Sequence, residues 1–149
     1  MDNIRITKIF HFEMAHALMN YDGACKNIHG HSYRFEVTII GKPLHDSTSP
    51  KNGMLMDFGD LKRLVHRLIV SKYDHALVLN SQTDTVIIDV MKQQFSNIIV
   101  VDYQPTSEMM IQEFAQMIKK ELPENMSLYS LRLYETETSF AEWYAEDNL

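Results

Sequence analysis

Residues 29–41 read HGHSYRFEVTIIG, and the fold turns on this stretch. Tyr33, Phe35, Val37 and Ile39 alternate with Arg34, Glu36 and Thr38, the period-two pattern of a strand with one buried face. Gly41 and Pro43 end it, and the polar stretch HDSTSPKNG (45–53) follows as a turn-rich loop. Upstream, residues 3–15 also read as a strand, because Ile4, Ile6, Ile9 and Phe10 mix with polar neighbours.

Downstream the period changes. Leu61, Leu64, Val65, Leu68 and Ile69 mark an amphipathic helix from about Phe58 to Ser71, with Asp57 as its N-cap. Residues 84–95 read as a shorter helix, against the β-branching of Thr85, Val86, Ile87 and Ile88. The run NIIVVD (97–102) reads as a short buried strand. Pro105 and Thr106 open a second clear helix that runs to about Glu121. Its apolar stripe is Met110, Phe114, Met117 and Ile118, and Pro123 ends it. The tail SLYSLRLYETETSFAEW (127–143) reads as a two-strand unit with Leu131 and Leu133 on one face. Helices therefore lie between hairpin-like strand pairs. That order predicts an α+β fold, an antiparallel sheet covered on one face by helices.

Composition bounds the function. The 149 residues are 45% apolar, enough for one domain spanning 1–149 with a real core. A formal net charge of −6 argues against broad nucleic-acid binding, though it leaves room for a local basic pocket for a phosphorylated small molecule. Cys25 is the only cysteine, so no internal disulfide forms, which suits a reducing compartment. MDNIRITKIF lacks the signature of a signal peptide, and no apolar run approaches the ~20 residues of a membrane span. The expectation is a cytoplasmic protein with neither nucleic acid nor membrane as partner.

The chemistry concentrates in a few positions. His29 and His31 stand at i and i+2 of a strand, so both imidazoles point to one side, and Gly30 between them leaves room for close approach. His16, at the end of the first strand, is the natural third ligand if the two strands pair. Three imidazoles with a fourth position open describe a catalytic zinc site. H-x-H alone more often describes two surface or capping histidines. Cys25, in the polar setting GACKNIHGH, reads as a fourth zinc ligand, as a nucleophile or base, or as an ordinary buried cysteine. Asp74 beside His75 reads as a carboxylate orienting an imidazole, or as a helix C-terminal histidine with a solvated turn aspartate. Thr106 and Glu108 read as a capped helix start. Glu135 follows an apolar strand and has no local role. Glu137 shares its face, and one of the two would accept hydrogen bonds from paired N–H groups of a ligand. His11, His45 and His66 read as structural or surface residues.

Six stretches carry a resemblance: FEMAHAL (12–18), CKNIHGHSYRFEV (25–37), GMLMDFGDLK (53–62), DHALVLN (74–80), PTSE (105–108) and LYETETSFAEW (133–143). In this order they resemble the 6-pyruvoyl-tetrahydropterin synthase superfamily, including its bacterial 6-carboxy-tetrahydropterin synthase branch. The resemblance implies the tunnelling fold (T-fold), a four-stranded antiparallel sheet with helices on one side. It implies a homohexamer of two stacked trimers with active sites at subunit interfaces. It implies Zn²⁺ on His16, His29 and His31, Cys25 as the proton-abstracting base, and Asp74 and His75 as a proton relay. It implies Glu135 as the anchor of the pterin ring, with Thr106 and Glu108 lining the pocket. The implied substrate is 7,8-dihydroneopterin triphosphate. Cys25 stands close before the HGH, which favours the carboxy-forming branch, on the route to a queuosine precursor, with acetaldehyde and triphosphate released. The alternatives are a pyruvoyl-forming synthase and a non-catalytic zinc module in which Cys25 closes the site. The segment between His75 and Pro105 is longer than in compact bacterial members.

Overall fold

The computed structural model describes residues 1–149. Six strands form one sheet: β1 (Ile4–His16), β2 (His29–Gly41), β3 (Ala76–Asn80), β4 (Ile98–Val101), β5 (Met126–Thr136) and β6 (Ser139–Tyr144). Their order across the sheet is β4-β3-β1-β2-β5-β6. The helices are α1 (Phe58–Val65), α2 (Ser71–Tyr73), α3 (Thr85–Gln94) and α4 (Ser107–Glu121). A π-helical turn, His66–Val70, joins α1 to α2, so the helix read from sequence is one rod with a wide turn in its middle.

The antiparallel four-stranded unit expected from sequence is β1-β2-β5-β6. The structure extends it: β3 runs parallel to β1, and β4 parallel to β3. β3 was not among the strands expected from sequence. Its five residues, ALVLN, are a short apolar run without alternation, and they sit between two strands, where such runs belong. The long segment after His75 thus forms a β3-α3-β4 crossover at the edge of the sheet.

Alternation in β1 and β2 decides which face is buried. Phe10, Phe12, Met14 and His16 of β1 point to the helix-covered side, together with Tyr33, Phe35, Val37 and Ile39 of β2. Glu13, Ser32 and Arg34 face the open side and are exposed. Phe114 of α4 seals the layers, its ring 5.4 Å from Phe35, 6.5 Å from Phe12 and 4.9 Å from Tyr73. Asp57 caps α1 as expected by accepting from Gly59 N at 2.7 Å, and Thr106 caps α4 by accepting from Met109 N at 3.3 Å. No helix is long and apolar enough to cross a membrane.

Candidate metal centre and ligand pocket

The β1–β2 register ends with His16 opposite His29. His31, two residues along β2, lies on the same face as His29. The register therefore converges three imidazoles whose ligating nitrogens all lie within 4.8 Å of one another. Ring centroids are 4.6 Å apart for His16 and His29, 4.9 Å for His29 and His31, and 5.3 Å for His16 and His31. Cys25 is not part of this group.

Backbone carbonyls fix the tautomers. His16 Nδ1 donates to Pro105 O at 2.7 Å, and His29 Nδ1 donates to Asn27 O at 2.7 Å. A carbonyl only accepts, so each Nδ1 carries the proton and each Nε2 presents a lone pair. Those two Nε2 atoms face each other at 3.1 Å. Two lone pairs at that separation repel unless a cation or a proton lies between them. The third nitrogen, His31 Nε2, is buried without a hydrogen-bond partner. It lies 3.4 Å from Glu135 Oε1 without making a hydrogen bond to it. Burial, first of all, holds the His16 pKa below its ordinary value; the Pro105 hydrogen bond opposes this, while the two neighbouring imidazoles add to it. The neutral ring is the ligating form. The residues thus fit a divalent metal of borderline softness held on three imidazole nitrogens.

Glu135 continues the inward face of Leu131 and Leu133 along β5. A register shift falls here as well, since Tyr134 pairs with Phe140 and Thr136 with Ser139. Its Oε2 accepts from Ser107 Oγ at 3.0 Å. Ser107, Glu108, Glu135 and Ala141 line a cleft of about 160 Å³. Glu137 does not share this face; it is exposed on the turn between β5 and β6.

The model of the family described as 6-pyruvoyl tetrahydropterin synthase matches residues 5–146. The chain belongs to this family. It is 37% identical over 143 residues to the 6-carboxy-5,6,7,8-tetrahydropterin synthase of Haemophilus influenzae, covering 93% of this chain and 97% of that one. It is 28% identical to the protein of the same name from Rickettsia typhi, covering 93% and 99%. Among solved structures it resembles the 6-pyruvoyl tetrahydropterin synthases of Caenorhabditis elegans (TM-score 0.67, 24% identity, 97% of each chain) and Plasmodium vivax (TM-score 0.71, 14% identity, 96% and 98%). These last likenesses show the T-fold. As a tetrahydropterin synthase family member, the chain is an enzyme by descent.

Within this family fold, the sequence-expected residues fall into three places. His16, His29, His31 and Glu135 meet at one cluster, with Thr106 and Glu108 at the adjoining start of α4. Cys25 is half-buried in a single 3₁₀ turn, Ala24–Lys26, on the loop that joins His16 to His29. Asp74 Oδ1 and His75 Nδ1 lie 3.1 Å apart, just ahead of β3 rather than in the cluster. Asp74 Oδ1 accepts from Glu13 N at 2.9 Å, and this bond first of all holds its pKa below the usual carboxylate range. His75 takes a left-handed backbone, φ 61°, and its N–H donates to Glu13 O at 2.6 Å. Its side chain is 79% exposed and borders an open depression of about 350 Å³, lined by Glu13, Ala15, Gly30 and Ser32 of the open face and also by His31. Two residues near the cluster escaped the sequence reading. Ser107 looked like one more helix-start residue, and only the packing of α4 against β5 brings it to Glu135. Tyr33 read as core, and it is fully buried, yet its hydroxyl has no hydrogen-bond partner. His11, His45 and His66 are exposed, as expected, with His66 edge-on to Phe10 at 5.8 Å.

Proposed function

We propose that the protein is a zinc-dependent 6-carboxy-tetrahydropterin synthase acting on 7,8-dihydroneopterin triphosphate, with acetaldehyde and triphosphate as co-products. The observation that carries this reading is the cluster of three convergent imidazoles, two of them held through Nδ1 by backbone carbonyls, beside a carboxylate-lined cleft. The two relatives named above support the carboxy-forming branch. His16, His29 and His31 would hold Zn²⁺, which supplies Lewis acidity to the vicinal hydroxyls of the substrate side chain. Glu135, supported by Ser107, accepts the amino and ring N–H groups of the pterin and fixes its orientation. Glu108 borders the same cleft, and Thr106 caps the helix that starts beside it. The Cys25 sulfur takes the side-chain proton next to the polarised hydroxyl, and His75, oriented by Asp74, holds and returns it. Cys25 standing apart from the three nitrogens favours this role over a fourth ligand that closes the site.

The protein works in this reading as a homohexamer, two stacked trimers in the cytoplasm. Asp74 and His75 open on the uncovered face of the sheet, whereas the imidazole cluster points to the covered face, so a neighbouring copy supplies the relay. Cys25→Ala and His75→Ala variants should each be inactive. Mixed and reassembled, they should recover activity, because some interfaces then pair an intact cysteine with an intact histidine. Mixtures that stay as dead as their components overturn the shared site.

The reaction itself is tested by incubating the zinc-loaded protein with 7,8-dihydroneopterin triphosphate. Acetaldehyde and 6-carboxy-tetrahydropterin are expected in equal amounts. A 6-pyruvoyl product without acetaldehyde moves the protein to the other branch of the family.

A further inference from the structure

The loop of residues 17–28 carries Cys25 and is mostly exposed. Its internal hydrogen bonds are few: Leu18 N donates to Cys25 O at 3.0 Å, and Lys26 N and Asn27 N donate back to Gly23 O and Ala24 O. To the rest of the chain it is tied at two points. One is Asn27 O, which accepts from His29 at the loop's own end. The other is the side chain of Gln104, from the connection between β4 and α4. Gln104 Oε1 accepts from Met19 N at 3.0 Å, and Gln104 Nε2 donates to Met19 O at 2.7 Å. The amide thus grips both backbone polar groups of one residue, as a neighbouring strand would. Asn80 Nδ2 donates to the same Gln104 Oε1 at 3.4 Å, steadying it from the end of β3. The gripped residue precedes a reversal, since Asn20 has φ 56°. The chain then returns so that Cys25 O meets Leu18 N, next to Met19. The grip and the thiol are therefore separated by one hydrogen bond.

Gln104 also begins a segment that supports the imidazole cluster and Glu135. Pro105 O accepts from His16 Nδ1, Thr106 caps α4 and Ser107 Oγ donates to Glu135. We infer that Gln104 is a positioning residue: its side-chain amide clamps Met19 and so sets the Cys25 sulfur relative to the metal cluster. This rests on the role proposed above for Cys25. The clamp needs a side chain that donates and accepts in one plane, which glutamine supplies. Methionine has nearly the same shape and supplies neither, and glutamate keeps the acceptor while setting a carboxylate against the Met19 carbonyl.

The test uses the full chain loaded with Zn²⁺, comparing wild type with Gln104→Met and Gln104→Glu. Three quantities are read: backbone hydrogen exchange, the rate of Cys25 alkylation by iodoacetamide, and steady-state kinetics with metal content. In both variants the amides of Leu18 and Met19 should exchange faster while those of α4 keep their protection. The Cys25 alkylation rate should change several-fold. The value of kcat should fall by about 10- to 100-fold, the scale on which a misplaced catalytic group costs rate, with KM and zinc content unchanged. An alkylation rate and a kcat that stay at wild-type values overturn the inference, as does a loss of zinc or of α4 protection, which makes Gln104 a general support. Exchange and alkylation do not depend on turnover, so they judge the clamp even if the wild-type protein fails to convert the proposed substrate.

Discussion

His29→Ala is expected to strip the protein of bound zinc while leaving it folded. His29 is the ligand to choose because it is half-buried at a strand end, and its only other side-chain bond is to Asn27 O. His16 is a poorer probe, since it is buried at 2% exposure and tied to Pro105, so its removal disturbs packing as well. Without His29 a metal keeps two imidazoles, and the lone pair on His16 Nε2 loses its facing partner. Loss of an outer-sphere partner alone weakens metal binding by about 10–100-fold, so loss of a direct ligand should exceed about 100-fold. Metal content after dialysis reads this directly. Thermal unfolding gives a second measure, because a ligand present at 100 times its Kd stabilises the native state by about 2.7 kcal/mol. The wild-type melting temperature should rise on adding zinc, and that of the variant should not. A variant that retains one zinc per chain overturns the three-histidine site.

Cys25→Ala is expected to do the opposite: it keeps the metal and loses the reaction. Removing a positioned general base costs roughly 10²–10⁴-fold in rate, or about 3–5 kcal/mol of barrier. The cluster geometry supports metal retention, since Cys25 lies outside the group of three nitrogens within 4.8 Å. Its half-buried 3₁₀ turn contributes no residue to the buried core, so the fold should survive as well. A Cys25→Ala protein that loses zinc and unfolds would instead describe a closed Cys-His₃ module without catalysis.

Much of the framework was legible in the sequence. The alternation of Tyr33, Phe35, Val37 and Ile39 predicts a half-buried strand, and all four are fully buried. The 3.6-residue stripes predict the rods that run from Phe58 and from Ser107, and the caps at Asp57 and Thr106 fall where the residue types put them. Even the helix over Thr85–Gln94 forms against its β-branched residues, because it bridges two parallel strands and packs Ile88 inward. β3 was not legible, since five apolar residues have no period to read. The inward direction of Glu135 was legible, because it continues the alternation of Leu131 and Leu133. Its separation from Glu137 was not, since β5 ends at Thr136 and Glu137 falls in the exposed turn.

By itself, the sequence determined the parts: which strands have a buried face, where the helices start, and that His29 and His31 share a side. These follow from period and residue type, which are local properties. Only the tertiary structure decided how the parts meet. The register that sets His16 opposite His29 depends on two strands pairing at one offset, and a slip of one residue would turn His16 to the open face. The carbonyls that fix the His16 and His29 tautomers come from Pro105 and Asn27, one of them 89 positions away. The placing of Asp74 and His75 on the far side of the sheet follows from β3 docking in parallel beside β1. Each of these rests on a long-range contact, and no local pattern in the chain encodes the partner of such a contact.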